Sequence, residues 1–158
     1  MPRALAAVAA ASALAAGCGD DEPRAESASD QLAPPPAGYR YAPAPDQAGQ
    51  RAFEKKVASD LDADQVEVRN VLKGSRFVAG VVVARTTRAP NGYEVAEKVA
   101  PGGTAPVPVE VAGKSALRTI GASGSAGINL IDTFGSFIVV VTAADIRTAN
   151  RVAAPLLR

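Results

Sequence analysis

The sequence predicts an α+β domain, a two-layer sandwich in which a mostly antiparallel sheet of five or six strands carries the N- and C-terminal helices on one face. Three observations support this class. Apolar residues recur every four positions in 47–61, as on one side of a helix. Between residues 65 and 141, alternating or valine-rich stretches are typical of strands. Short turns rich in glycine separate most of these stretches, which favours hairpins and therefore antiparallel pairing.

The domain is predicted to begin with a helix at Gln47–Leu61. Asp46 is suited to cap it, because its carboxylate can accept a hydrogen bond from a free N–H group of the first turn. Phe53, Val57 and Leu61 follow one another at a spacing of four and are expected to face the sheet.

A hairpin is predicted next. Residues 65–72 alternate, with Val66, Val68 and Leu72 on one side of a half-buried strand. A turn at 73–75 leads into 77–84, an apolar run whose valines suit a central strand that is buried on both faces.

The middle of the domain is predicted to contain a turn at Pro90-Asn91-Gly92, a helical or irregular stretch at 93–99 and a strand at Val107–Val111. Pro108 places this last strand at an edge of the sheet, because proline has no N–H to donate to a neighbour. Further strands are expected at 116–120 and 128–133.

A second central strand at 137–141 is predicted to precede a closing helix at 144–153. Thr142 and Asp145 resemble a capping box at the start of this helix. Ile146, Ala149 and Ala153 are expected to face inward, and Pro155 to end the helix.

Residues 1–17 have the composition of a signal peptide. The stretch 4–16 is alanine-rich and uncharged, and it is shorter than the roughly 20 apolar residues that cross a bilayer. Its last residues belong to Leu14-Ala15-Ala16-Gly17, which directly precedes Cys18, the only cysteine of the chain. This arrangement resembles the lipobox of bacterial lipoproteins. The high alanine content resembles that of lipoproteins from actinobacteria. An ordinary secretory signal, cleaved after an Ala-x-Ala-like site, is the alternative.

The lipobox resemblance implies that signal peptidase II cleaves before Cys18. It also implies that the Cys18 thiol receives a diacylglycerol thioether and that the new amino group is acylated, with palmitate as the expected chain. The membrane is then a partner through this anchor. The expected location is the extracytoplasmic face of the cell membrane, or the outer membrane if the cell has one.

Residues 18–46 are predicted to form the lipidated cysteine and a disordered, proline-rich linker, because they hold few large apolar side chains. Tyr39 and Tyr41 are expected to be the first of them to contact the folded part, as an aromatic strap. The single α+β domain is predicted to span 47–158. It holds 14 basic and 10 acidic residues without a long basic run, so a nucleic-acid partner is not expected.

The composition predicts a protein that is not an enzyme, with no catalytic residue, no metal site and no cofactor. The chain contains no histidine, which excludes Ser-His-Asp and Cys-His catalysis and most zinc sites. If Cys18 carries lipid, no cysteine nucleophile remains. An internal disulfide is also excluded, since a second cysteine is absent from the sequence.

Three local patterns resemble chemical motifs without completing them. Asp60, Asp62 and Asp64 alternate as in a calcium loop, but Gln65 replaces the glycine of an EF-hand and Val71 its final glutamate. The run 113–115 matches the end of a P-loop, and its Lys114 and Ser115 would also be the members of a Ser-Lys dyad. The glycine-rich run 121–127 could cradle an anion or simply be a hairpin loop.

The favoured function is therefore a lipid-anchored cell-envelope lipoprotein with a non-enzymatic binding, sensing or structural role toward an unknown envelope protein. The alternative is a carrier that holds a lipid or other apolar ligand between the sheet and the helices. A pocket of several hundred Å³ next to the valine-rich strands would favour the carrier. An enzyme that uses only acids, serine and lysine is the third hypothesis, and it requires carboxylates that converge in a cleft.

Overall fold

The computed structural model describes residues 26–122 and 127–158, which form an α+β fold on one antiparallel sheet. The helices are α1 (Gln47–Leu61), α2 (Gly92–Val99) and α3 (Ile146–Ala153). The strands are β1 (Tyr39–Ala42), β2 (Ala63–Lys73), β3 (Arg76–Thr86), β4 (Val107–Val111), β5 (Lys114–Ile120), β6 (Ile128–Phe134) and β7 (Phe137–Ala143). The sheet of the described residues thus has seven strands, and β1 is the one that the sequence did not predict.

The strand order is β1-β2-β3-β7-β6-β5-β4, with every neighbouring pair antiparallel. After the β2–β3 hairpin, the chain passes through α2 to the opposite edge of the sheet. It then returns strand by strand until β7 pairs with β3. The apolar run of β7 is therefore central, as predicted, and β4 with Pro108 lies at an edge.

Helices cover both faces of the sheet, which corrects the prediction of two layers with both terminal helices on one face. Helices α1 and α2 pack with Ala84, Ile138 and Val140. Helix α3 packs on the opposite face with Val83 and Val139. Successive side chains of a strand point to opposite faces, and nearly every position of β3 and β7 is apolar. Both faces of these two strands therefore need a cover, which a two-layer arrangement cannot supply.

Residues 26–46 lie against the folded domain, whereas the sequence predicts a disordered linker that ends at residue 46. Ala28 is buried on the α3 face, and its N–H donates to Gln65 Oε1 at 3.0 Å. Arg85 Nη1 donates to the carbonyl oxygen of Glu26 at 3.1 Å. We name residues 26–46 the N-terminal strap. Residues 1–25, with the signal-peptide and Cys18 predictions, lie outside the described part of the chain.

The two tyrosines of the strap contact the domain, as the sequence predicts, and they do so within a strand. Tyr39 pairs with Lys73 of β2, and Tyr41 pairs with Val71. The Tyr41 hydroxyl donates to the carbonyl oxygen of Ala33 at 3.0 Å, and burial raises the pKa of this hydroxyl above its usual value. The strap thus adds an edge strand to the sheet.

The helix caps agree with the sequence prediction at α1 and only in part at α3. Asp46 caps α1 as predicted, with Oδ1 accepting from the N–H of Ala48 at 3.0 Å. Helix α3 begins later than predicted, and its cap is Asp145 alone, because Thr142 lies in β7. Ile146 is 39% exposed rather than inward-facing, whereas Ala149 and Ala153 are buried as predicted.

Within residues 26–122 and 127–158, no helix has the length and apolar composition that crossing a bilayer requires.

Candidate functional site

An open groove lies over the centre of the sheet, on the face that α1 and α2 cover. It consists of two adjoining cavities of about 440 and 880 Å³, which share Phe53, Val82, Gly127 and Thr142 as lining residues. We name the two cavities together the groove. The smaller cavity lies between the last turns of α1 and α2 and is its α2 end. The larger cavity lies beside the first turns of α1 and is its Phe77 end.

The floor of the groove contains a glycine in the middle of a valine-rich strand. Gly80 of β3 pairs with Asn70 on one side and Thr142 on the other. A Cβ atom built on Gly80 would meet no heavy atom within 4 Å. Glycine in the interior of a strand weakens the strand and often marks a place where a ligand or another backbone approaches closely. Since no described heavy atom occupies the space above Gly80, this part of the floor is open to the groove.

A β-bulge brings Phe77 into the groove. The pairing of β2 with β3 shifts between Val71↔Ala79 and Leu72↔Phe77, so Val78 is an extra residue. Without this bulge, Phe77 would share the α3 face with Ala79, because side chains alternate along a strand. With it, Phe77 lies on the same face as Gly80 and lines the groove, where it is 57% exposed.

The apolar stripe of α1 that the sequence predicts lines the groove on the side facing the sheet. Leu61, at the end of the stripe, is buried against the sheet, and Val57 is partly buried. Phe53 is 48% exposed and lines the groove together with Val82 and Gly80. Two exposed phenylalanines, Phe53 and Phe77, thus border the same groove. A shared exposed apolar surface of this kind is typical of binding sites.

Polar groups concentrate at the α2 end. Lys56 and Asp60 of α1 form an ion pair there. Lys98 of α2 lines the same cavity, and no carboxylate of the described residues pairs with it. Asn129 is 6% exposed and its Oδ1 accepts from Thr142 Oγ1 at 2.7 Å, while its amide nitrogen has no acceptor in the described part of the chain.

The aspartates of the incomplete calcium loop do not share a site. Asp60 pairs with Lys56. Asp62 ends α1 in the left-handed region, with a φ of 53°, and lies 3.5 Å from Arg88. Asp64 accepts two hydrogen bonds from Arg85, at 2.9 and 2.6 Å, and these hold the pKa of Asp64 below its usual value. Each of the three carboxylates therefore pairs with a different lysine or arginine side chain. The described residues contain no group of acidic or cysteine side chains large enough to hold a metal ion.

Lys114 has a structural position at the turn between β4 and β5. Its Nζ donates to the carbonyl oxygens of Ala154 at 3.3 Å and Leu157 at 2.8 Å, just after α3. Ala112 and Gly113, both with positive φ, form the two-residue turn of this hairpin. Residues 113–115 therefore belong to a hairpin and not to a P-loop. The Lys114 ammonium of the Ser-Lys pattern already donates to two backbone carbonyl oxygens.

The structure places the two described ends of the glycine-rich run at the groove. The N–H of Gly121 donates to the carbonyl oxygen of Gly127 at 3.1 Å, and both residues line the α2 end. Residues 123–126 lie outside the described part of the chain. Sequence reasoning did not single out Gly80 or Lys98, although a glycine inside a run of valines was a visible signal for the first.

No family model, no curated protein and no solved structure matches the chain. The function proposed for it therefore depends on the groove and on the sequence.

Proposed function

We propose that the chain is a non-enzymatic binding protein of the cell envelope, held on the extracytoplasmic face of the membrane by lipid on Cys18, and that its groove binds an apolar ligand. The observation that carries this proposal is an open groove whose floor lacks a side chain at Gly80. Its cavities of about 440 and 880 Å³ fall within the range of about 300–1,000 Å³ typical of small-molecule sites.

The groove favours the carrier hypothesis over the protein-interaction hypothesis. If the sheet and helices packed tightly, only the sheet edges, such as β4, would be available for a partner. Instead, Phe53, Val82 and Phe77 present apolar surface inside a concave site. Leaving such surface in contact with water is unfavourable by about 25 cal/mol per Å², and an apolar ligand would remove this contact.

A photo-cross-linking residue tests this proposal in intact cells. Placed at Phe53 or Phe77, it should form adducts with the mass of a lipid or another small apolar molecule. Tyr93 of α2 is the matched control, because it is an aromatic residue of similar exposure, 51%, that does not line the groove. Equal labelling at Tyr93 would contradict the proposal. Adducts of protein mass alone at Phe53 and Phe77 would favour the interaction module.

A further inference from the structure

The two ends of the groove differ in charge. Of the residues that the structure describes, Lys56 and Lys98 bring two ammonium groups to the α2 end and Asp60 brings one carboxylate. Because Asp60 pairs with Lys56, the charge of Lys98 is left without a carboxylate among the described residues. Lys98 lies in the last turn of α2, where its charge also stabilises the helix through the macrodipole. That role does not require a counterion and leaves the ammonium free for an anion.

The Phe77 end has the opposite character. Among the described residues, no lysine or arginine lines it, and the charged lining residue is Asp46, which already accepts from the first turn of α1. This end therefore offers an anionic group no cationic side chain. Phe77, Val68 and the open position above Gly80 instead offer apolar contact along the floor.

The distance between these ends is suited to an extended hydrocarbon chain. The groove follows α1 from Asp46 to Asp60, and this length of helix spans about 21 Å at 1.5 Å per residue. Gly80 lies on the floor of the groove, where the space above it lets a hydrocarbon chain come close to the backbone.

We infer that the ligand is a single-chain amphiphile with an anionic carboxylate or phosphate head. Its head contacts Lys98 at the α2 end, and its hydrocarbon chain passes over Gly80 toward Phe77. The amide nitrogen of Asn129, which has no acceptor among the described residues, supplies a second donor at the α2 end. This inference rests on the proposed function, since it names the class of ligand for the same groove.

Fluorescence titration of the full chain carrying Cys18→Ser tests the inference without detergent. The probes are an anthroyloxy-labelled stearic acid and its uncharged methyl ester. A lysophosphatidic acid and unlabelled stearate compete for the site, and the stronger competitor identifies the preferred head group. The wild-type groove should bind the acid more tightly than the ester.

Three variants separate the contributions. Lys98→Gln should weaken binding of the acid about tenfold, the loss expected for one charge-assisted hydrogen bond, and leave the ester within twofold. Lys55→Gln is the matched control, because Lys55 is an exposed lysine of α1 that does not line the groove. Gly80→Leu should weaken binding of both probes more than tenfold, because its side chain fills the floor. Its melting temperature checks that the fold is retained.

The outcomes distinguish the two proposals. If Gly80→Leu blocks both probes but Lys98→Gln leaves the preference for the acid unchanged, the groove binds an apolar ligand and the anionic head group is wrong. If neither probe binds the Cys18→Ser chain, or a folded variant that also carries Gly80→Leu binds both as well as that chain does, the groove is not the binding site and both proposals fail.

Discussion

Gly80 has opposite consequences for folding and for binding. Its φ lies outside the left-handed region, so the backbone does not require glycine, and a Cβ atom would meet open space. Glycine within a strand is less stable than alanine by about 0.5–1 kcal/mol. We therefore expect Gly80→Ala to raise the free energy of unfolding by about that amount, measured by urea denaturation. A lower stability would indicate that the space above Gly80 is not open.

The capping carboxylate of Asp145 is expected to make the stability of α3 depend on pH. The N–H of Thr148 donates to its carboxylate at 2.9 Å and the Thr148 hydroxyl at 2.8 Å, and these bonds hold the pKa of Asp145 below its usual 3.8. A depressed pKa means that the charged form stabilises the folded state. This stabilisation is present above pH 3.8 and is lost as the pH falls through the lower, folded-state pKa.

Asp145→Ala should therefore lower the melting temperature near neutral pH, because the cap is removed. The difference from wild type should shrink as the pH falls below 3.8. Asp145→Asn keeps an uncharged cap and should show no such pH dependence. A wild-type advantage that persists at strongly acidic pH would contradict this account.

Among the elements, strand β3 has one face in the core and one in the groove. Val83 is fully buried on the α3 face, whereas Val82 lines the groove and is only partly buried. We expect Val83→Asp to cost several kcal/mol, comparable with the whole stability of a domain, because it buries an unpaired carboxylate. Val82→Asp should cost distinctly less. Equal losses in chemical denaturation would show that Val82 is enclosed and that the groove is closed.

The hydrogen bond from the Tyr41 hydroxyl to Ala33 is one of the contacts within the N-terminal strap. Tyr41→Phe should lower the free energy of unfolding by about 1 kcal/mol and make the strap more accessible to limited proteolysis, because the Ala33 carbonyl loses its donor. Tyr39→Phe is the matched control, since Tyr39 contacts the ammonium of Lys73 through its ring. If the two variants behave alike, the hydroxyl of Tyr41 does not hold the strap.

Elements that local signals specify could be predicted from the sequence. The bounds of α1 and β4 agree with the prediction, because a capping aspartate and a proline-marked alternation act over a few residues. Strand β1 could not be predicted in this way. It has four residues near prolines, and its pairing partner, β2, follows only after α1.

The candidate site was predicted only in its parts. The apolar stripe of Phe53 and Val57 and the ends of the glycine-rich run were visible in the sequence. The bulge that turns Phe77 into the groove depends on the register between β2 and β3, which alternation alone does not fix. The position of Lys98 depends on where α2 crosses the sheet, so its meeting with α1 is a property of the tertiary fold.

For the chain as a whole, the proposed lipidation of Cys18 would decide where the protein works. If its thiol carries lipid, Cys18→Ala should leave an unprocessed or secreted chain that no longer partitions into the detergent phase in a phase-separation assay. The variant should melt like wild type, because the described domain begins after this residue. Partition equal to that of wild type would contradict the lipoprotein assignment.

The packing of the N-terminal strap sets the working distance of such an anchored protein. Arg85 holds Glu26 at the sheet, so only the residues between Cys18 and Glu26 can separate the domain from the membrane. Eight residue steps span at most about 29 Å when fully extended. A linker that reached residue 46 would span more than three times as far. If Cys18 is lipidated, the domain would therefore stay near the lipid head groups and meet its partners by lateral diffusion in one leaflet. Molecules farther from the membrane would lie beyond its reach.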